Sequence, residues 1–336
     1  MVDSNNLSYE SRVKNQIDQF RDLDALKKLP PIYQYWSQKY LAPILETVFG
    51  TKNLAAIYAT QFREAMSKQS LSNRVLSIGA GDCKVEVAIA KKMVELGSRD
   101  FMIDCTDLSG VRLERGRELA ASEGVSAFLQ FHEIDLNHWT ETQRYAGVMA
   151  HHTLHHIVEL EELFARIRQL LVDDGVFVSV DMIGRNGHMR WPETLAWVER
   201  IWAFLPEKYK FNHQFGRKVE PYLNWDCSKK GFEGIRAQDI LPLLSKNFSF
   251  THFAAVGGII DVFVERGYGH NFERDVSGDV GLIDFIQQLN ETLIDKGEIK
   301  PTMLFAAMKK EPSPGQVTRI YREWTPEFCV RTPPEP

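Results

Sequence analysis

Between Arg74 and Asp181 the chain alternates strand-like and helix-like signals with a regularity that leaves few folds open to it. Arg74 to Ile78 (RVLSI) is a short β-type run that ends in Gly79-Ala80-Gly81. A helix follows, with Val85, Ala88, Val94 and Leu96 apolar and Gly97 placed to stop it. Phe101 to Thr106 reads as a second strand, and Ser109 caps a helix that stops at Gly124. Phe128 to Ile134 and Tyr145 to Ala150 read as the third and fourth strands. Glu159 to Leu171 is amphipathic, with Leu160, Leu163, Phe164, Ile167 and Leu171 on one face. Asp173-Asp174-Gly175 then turns the chain into a fifth strand, Val176 to Val180. This alternation predicts an α/β fold: a Rossmann-like, doubly wound, mostly parallel sheet covered by helices on both faces.

The flanking segments divide around that core. Residues 1–71 form a predicted helical N-terminal cap. Ile17, Phe20, Leu23 and Leu26 to Leu29 recur at helical spacing, Pro30-Pro31 interrupts them, and Ile32 to Phe49 resumes with Tyr33, Trp36, Tyr40 and Leu41. Residues 72–181 are the predicted nucleotide-binding core. Residues 182–247 break the rhythm and concentrate aromatics, among them Trp191, Trp197, Trp202, Tyr209, Tyr222 and Trp225. Pro192 suits the first position of a helix bearing Leu195, Val198, Ile201 and Leu205, so this stretch is predicted to be a helical lid inserted after the fifth strand. Residues 248–310 return to the sheet through Phe248 to Val256 and Thr302 to Met308, with a helix around Val280 to Leu293. Residues 311–336 are a C-terminal extension that ends in a proline-rich tail.

Composition narrows the function classes. The chain has 336 residues, 44% hydrophobic and 25% charged, enough apolar material for a sizeable core. The formal net charge is −5, without the basic surplus that phosphate contacts demand, so nucleic acid is not an expected partner. Cys83, Cys105, Cys227 and Cys329 form no C-x-x-C pair, which argues against a disulfide framework or a structural zinc site. Met1 to Arg12 is polar, and no uncharged apolar run reaches the ~18 residues of a membrane span. The expectation is a cytoplasmic protein with no membrane partner.

The glycine turn between the first strand and its helix is a nucleotide-type signal, because glycine lets a ligand approach backbone and the helix offers unpaired N–H groups. A dinucleotide fingerprint would place another glycine three positions after Gly81, where this chain has Lys84. Asp107 closes the second strand, where doubly wound folds set an acid against ribose hydroxyls, and Asp135, followed by Leu136, ends the third in the same way. Taken singly, either acid reads equally well as a turn or capping carboxylate. Together with the glycine turn they favour a ligand.

Val75-Leu-Ser-Ile-Gly-Ala-Gly-Asp82, Asp107-Leu108-Ser109, Asp135-Leu136 and Leu154-His-His156 after the fourth strand resemble the class I S-adenosylmethionine (SAM)-dependent methyltransferase family, of the small-molecule type. The resemblance covers roughly Arg74 to Asp181, and the final two strands resemble that family's closing hairpin. It implies SAM as cofactor, with the glycine turn (Gly79, Ala80, Gly81, and beside them Asp82) under the methionine portion, Asp107 and Leu108 at the ribose, and Asp135 and Leu136 at the adenine. Ser77 and His151 complete the expected cofactor-binding set. Two positions depart from the family: Ser77 stands where an acid is usual, and Cys83 where a third glycine is frequent.

His151-His-Thr-Leu-His-His156 is the most suggestive polar cluster. Imidazole binds metals well, but ligands must converge and no separate carboxylate pattern marks a dedicated site, so no metal is expected. His152 and His155 are the candidate bases, since imidazole titrates near neutrality, although each can equally begin a helix and bond locally. Asp181 ends the fifth strand at the edge where ligands bind, a candidate to orient an acceptor or else a turn carboxylate. In the lid, His188, Arg190, His213 and Arg217 are the polar residues placed to orient an acceptor. The expected activity is transfer of a methyl group to an oxygen or nitrogen of a small metabolite, with carbon as a third acceptor type. The alternatives are a macromolecular (RNA or protein) methyltransferase, which would need an open basic surface, and a non-catalytic SAM-binding protein.

Overall fold

The computed structural model describes residues 10–12, 15, 28–67, 72–135, 142–312 and 315–332. The expectations placed on Ile17, Phe20, Leu23, Leu26 and Leu136 lie outside them.

Pro30-Pro31 starts a helix here, with Pro31 as the first residue of α1 (Pro31–Trp36), where its missing N–H costs nothing. One π turn (Ser37–Leu41) carries the chain into α2 (Ala42–Phe49), which stops at left-handed Gly50. Asn53 Oδ1 then accepts the Ala56 N–H over 2.9 Å and caps α3 (Leu54–Ser67). Phe62 of α3 is fully buried against Gly147, where a Cβ would come within 2.5 Å of the ring. The N-terminal helices are thereby packed onto the sheet.

The core follows in order: β1 (Arg74–Ile78), α4 (Lys84–Glu95), β2 (Met102–Asp107), α5 (Gly110–Ser122), β3 (Leu129–Glu133), β4 (Tyr145–His151), α6 (Leu160–Leu170) and β5 (Leu171–Met182). The strand signals in the sequence coincide with these elements to within a residue or so, except that β5 begins earlier. Leu171 leaves the helix, and the Asp173-Asp174-Gly175 turn lies inside the strand at a register shift against β4. Leu160, Leu163, Phe164, Ile167 and Leu170 are the buried face of α6, each worth about 1.5–3 kcal/mol of burial.

The sheet order is β3-β2-β1-β4-β5-β9-β8-β10, with β8 (Ser249–Val256), β9 (Met303–Lys309) and β10 (Arg319–Ile320). All neighbours are parallel except that β9 runs antiparallel to both β5 and β8. This is the predicted Rossmann-like sheet. β8 and β9 are neighbours but not a tight hairpin: their connection carries α9 (Asp261–Val264) and α10 (Ser277–Asp295), numbered after α7 (Pro192–Phe204) and α8 (Ala237–Asn247). Trp36 Nε1 donates to Gln287 of α10, and the Tyr35 and Tyr40 hydroxyls donate to Asp284, so the N-terminal helices and this connection pack together. Within 182–247, α7 and a two-stranded ribbon, β6 (Phe211–Asn212) with β7 (Arg217–Lys218), lie outside the sheet's rhythm. α8 instead packs on α6 as part of the sheet's helical cover. A short α11 (Pro326–Cys329) ends the described chain. Among the described residues no helix is long and apolar enough to cross a membrane.

Candidate active site

β1, β2 and β4 deliver their carboxyl ends to one edge. After β1 the chain turns at Gly79 and Gly81, both with positive φ (65° and 57°). A Cβ on Gly79 would stand 2.4 Å from Thr153, whereas one on Gly81 would meet only the movable guanidinium of Arg112, so close approach demands glycine at 79 and positive φ favours it at both. Cys83 also adopts positive φ (53°), the conformation that suits the glycine frequent there, and its side chain is buried against Gly116. Asp107 braces the turn: Oδ2 accepts the Gly81 N–H over 2.8 Å and Oδ1 accepts the Ser109 N–H over 2.9 Å. Ile134 donates its N–H to the Asp107 carbonyl, which holds half-buried Asp135 near that strand end. Leu108 is half-buried beside Asp107, and Asp82 pairs with Arg112 over 3.4 Å.

Ser77 is fully buried beneath the turn, and its hydroxyl donates to Glu86 Oε1 over 2.6 Å. The acid absent from position 77 is thus supplied by the first turn of α4. Burial pushes the Glu86 carboxyl up to about 7, with the Ser77 hydrogen bond acting the other way.

The histidine loop adjoins this turn through Thr153, whose hydroxyl donates to the Gly79 carbonyl over 3.3 Å. His151 meets the Tyr58 hydroxyl of α3 at 3.2 Å, and burial followed by the neighbouring His152 lowers it to about 3. His152 is left-handed (φ 51°), and its ring is exposed, packed edge-on against His151. Asp181 is fully buried, and its carboxylate accepts N–H bonds from Thr153 (2.8 Å), Leu154 (2.7 Å) and Met182 (2.8 Å). Its Oδ1 also lies 2.5 Å from His155 Nδ1. Asp181 is therefore a positioning group for the loop and for His155. Burial opposes charge on His155, but Asp181 and then Glu233 outweigh it and raise the imidazole to about 10. The same pairing holds Asp181 well below the usual carboxylate range despite its burial.

Two residues that follow β5 complete the cluster. His188 Nε2 lies 2.8 Å from Glu233 Oε1, and His155 Nε2 lies 3.5 Å from the same oxygen. His156 Nδ1 is 3.8 Å from Glu233 Oε2. Glu233 carries no mark in the sequence, and it supplies the carboxylate that a converging site requires. Arg190 is buried at the same edge, 3.1 Å from Asp261 and 3.3 Å from the Gly258 carbonyl just past β8. His213 and Arg217 do not join this group: His213 bonds Asn271 in an exposed setting, and Arg217 is exposed on β7.

No family model matches the chain, and no curated protein matches it. Solved structures do. An O-methyltransferase from the trans-AT PKS multienzyme of Brevibacillus brevis, in complex with S-adenosyl-L-homocysteine, is similar at 13% identity and a TM-score of 0.44, over 94% of this chain and 82% of that one. A putative sarcosine dimethylglycine methyltransferase from Galdieria sulphuraria is similar at 12% identity and a TM-score of 0.44, over 81% of this chain and 88% of that one. Geranyl diphosphate methyltransferase in complex with SAM is similar at 12% identity and a TM-score of 0.41, over 76% of this chain and 85% of that one.

Proposed function

We propose that this chain is a SAM-dependent methyltransferase that carries a methyl group to an oxygen or nitrogen of a small-molecule acceptor. The observation that carries the reading is the shared edge: Thr153 joins the glycine turn to the histidine loop, so a donor seated on one lies beside an acceptor facing the other.

The residues at the turn suit SAM. Gly79 and Gly81 leave the backbone of the turn bare, and Asp107 and the Ser77–Glu86 pair set acidic groups around it for a ligand with two positive centres. The backbone of Gly79, Ala80 and Gly81, with Ser77, Asp82 and His151 around it, would hold the amino-acid portion. Asp107 and Leu108 would hold the ribose, and Asp135 and Leu136 the adenine. When bound, SAM supplies a methyl group on a sulfonium sulfur, open to in-line displacement.

The protein's task is then to orient the acceptor and exclude water. His155 is engaged on both ring nitrogens, by Asp181 at 2.5 Å and by Glu233 at 3.5 Å, so it is a fixed member of the cluster and not a free base. His152 is kept neutral, because desolvation by the protein packed around its solvent-reaching ring lowers the imidazole to about 4, and it is the loop histidine we assign to take a proton from the acceptor, as a weak base. Residues 182–236, anchored at the carboxyl edge through Arg190 and His188, act as the lid. The four cysteines are free thiols, which suits a cytoplasmic compartment.

Incubation with methyl-labelled SAM and a metabolite extract should place label in the small-molecule fraction, and Asp107→Ala should lower the transfer at subsaturating SAM. Label found only in RNA or protein, or no transfer at saturating SAM, would overturn the reading.

A further inference from the structure

We propose that His155, His188 and Glu233 form a binding site for one divalent transition-metal ion. One ligand atom from each residue lies within 4.8 Å of the others, close enough for small side-chain shifts to bring all three onto a single ion. Ions of this class bind imidazole nitrogen and carboxylate oxygen at about 2.0–2.2 Å. The chemistry of the set, two imidazoles and one carboxylate, suits Zn2+, Fe2+ or Mn2+ and disfavours Mg2+ and Ca2+, which prefer oxygen.

The cluster is organised around these atoms in three ways. First, Asp181 takes His155 Nδ1 at 2.5 Å, which directs Nε2 toward Glu233 and His188, and Asp181 is itself fixed by three short backbone N–H bonds. A carboxylate behind a histidine is the usual support of a metal ligand. Second, the segments bearing the ligands are locked together next to them. Gly187 N–H donates to the Gly234 carbonyl over 2.8 Å, and Ile235 N–H donates to the His155 carbonyl over 3.0 Å. Third, His188, whose Nε2 meets Glu233, holds positive φ (56°) directly after Gly187. Local backbone strain gathers where a further group binds.

The three ligands come from distant parts of the chain: the turn after β4, the turn after β5 and the loop before α8. Three protein ligands leave coordination positions open, as in catalytic rather than closed structural centres. His156, at 3.8 Å from Glu233, is the nearest further imidazole. The site is distinct from the glycine turn, so its test does not depend on what the chain methylates.

Full-length protein stripped with a chelator and dialysed should be titrated with Zn2+ alone by calorimetry, with Co2+ as an absorbing probe of the same site. We expect one ion per chain with micromolar or tighter affinity. His188→Ala and the near-isosteric Glu233→Gln should each weaken binding at least 10-fold, and Asp181→Asn by about 10–100-fold, the range known for supporting carboxylates. His213→Ala, which removes an imidazole outside the cluster, should leave affinity unchanged. Circular dichroism confirms that each variant is folded before its titration is read. Absence of stoichiometric binding to the folded wild type, or equal affinity in His188→Ala, Glu233→Gln and His213→Ala, would overturn the site and leave the cluster a hydrogen-bonded histidine–glutamate network.

Discussion

Ser77 and Glu86 form a buried hydrogen bond of 2.6 Å directly under the glycine turn, although they stand on different elements, β1 and α4. The pair restores an acidic group to the floor of the turn by another route. It also gives the fold a definite pH response. Glu86 is 2% exposed, and burial raises its carboxyl from 4.5 to about 7. Between those two values the folded chain retains a proton that the unfolded chain has released, so stability falls as pH rises through that window. Below it both states are protonated and the penalty is absent. Above about 7 the penalty is complete, about 3 kcal/mol. Urea denaturation of wild type and Glu86→Gln should show the variant gaining stability relative to wild type from pH 5 to pH 8. A constant difference between the two proteins across that range would rule out a buried, proton-binding Glu86.

Asp107 links the cofactor expectation to a measurable contact. Its Oδ2 already accepts the Gly81 N–H, so truncation loosens the turn as well as removing an acceptor. Asp107→Ala should lose about 1.5–3 kcal/mol of SAM affinity, the typical worth of hydrogen bonds to a charged group. Calorimetric titration with SAM or its demethylated product reads this directly, and unchanged affinity would remove Asp107 from the site.

Arg190 and Asp261 are both at least nine-tenths buried and 3.1 Å apart, joining the start of the insertion to the connection after β8. Asp261 also accepts the Gly258 N–H and the Thr302 hydroxyl. Removing the cation alone strands a buried carboxylate, so Arg190→Met should destabilise by about 3–5 kcal/mol. The double variant Arg190→Met/Asp261→Asn should recover part of that loss. Urea unfolding of the two single variants and the double checks the coupling, and strict additivity would deny it.

What could be read from sequence follows the range of the interactions concerned. β1 to β4, the glycine turn and Asp107 were legible because hydrophobic period, glycine placement and strand ends are local properties. Glu86 was not, because nothing in the first turn of α4 marks one acid as facing inward until the helix is docked on β1. Glu233 was invisible for a stronger reason. Its significance comes from His155 and His188, and only the return of the chain after β5 brings the three together. The same limit hid the block between β8 and β9: its helix shows in the sequence, but its packing against Trp36 and Tyr40 of the N-terminal helices does not. Within the predicted lid, only packing on α6 assigns α8 to the sheet's cover.

Tyr209 is buried in the insertion, stacked on Phe272 with ring centroids 4.6 Å apart, and its hydroxyl donates to Asp279 of α10 over 2.6 Å. Trp191 lies under the guanidinium of Arg331 at 4.2 Å, with Arg185 at 5.7 Å. Neither ring belongs to the glycine turn, so their loss acts on the insertion and not on the cofactor cradle. Trp191→Ala and Tyr209→Phe should therefore lower kcat/KM for the acceptor while leaving SAM affinity nearly intact. Tyr209→Phe keeps the stacking and removes only the bond to Asp279, at a cost of about 1.5–3 kcal/mol for a hydrogen bond to a charged group. Because that cost falls on the junction between insertion and connection, turnover should suffer more than cofactor binding. Steady-state kinetics paired with SAM calorimetry separates the two. Parallel loss of SAM affinity and turnover in both variants would mean that the insertion supports the cofactor site as a whole and is not a lid over the acceptor.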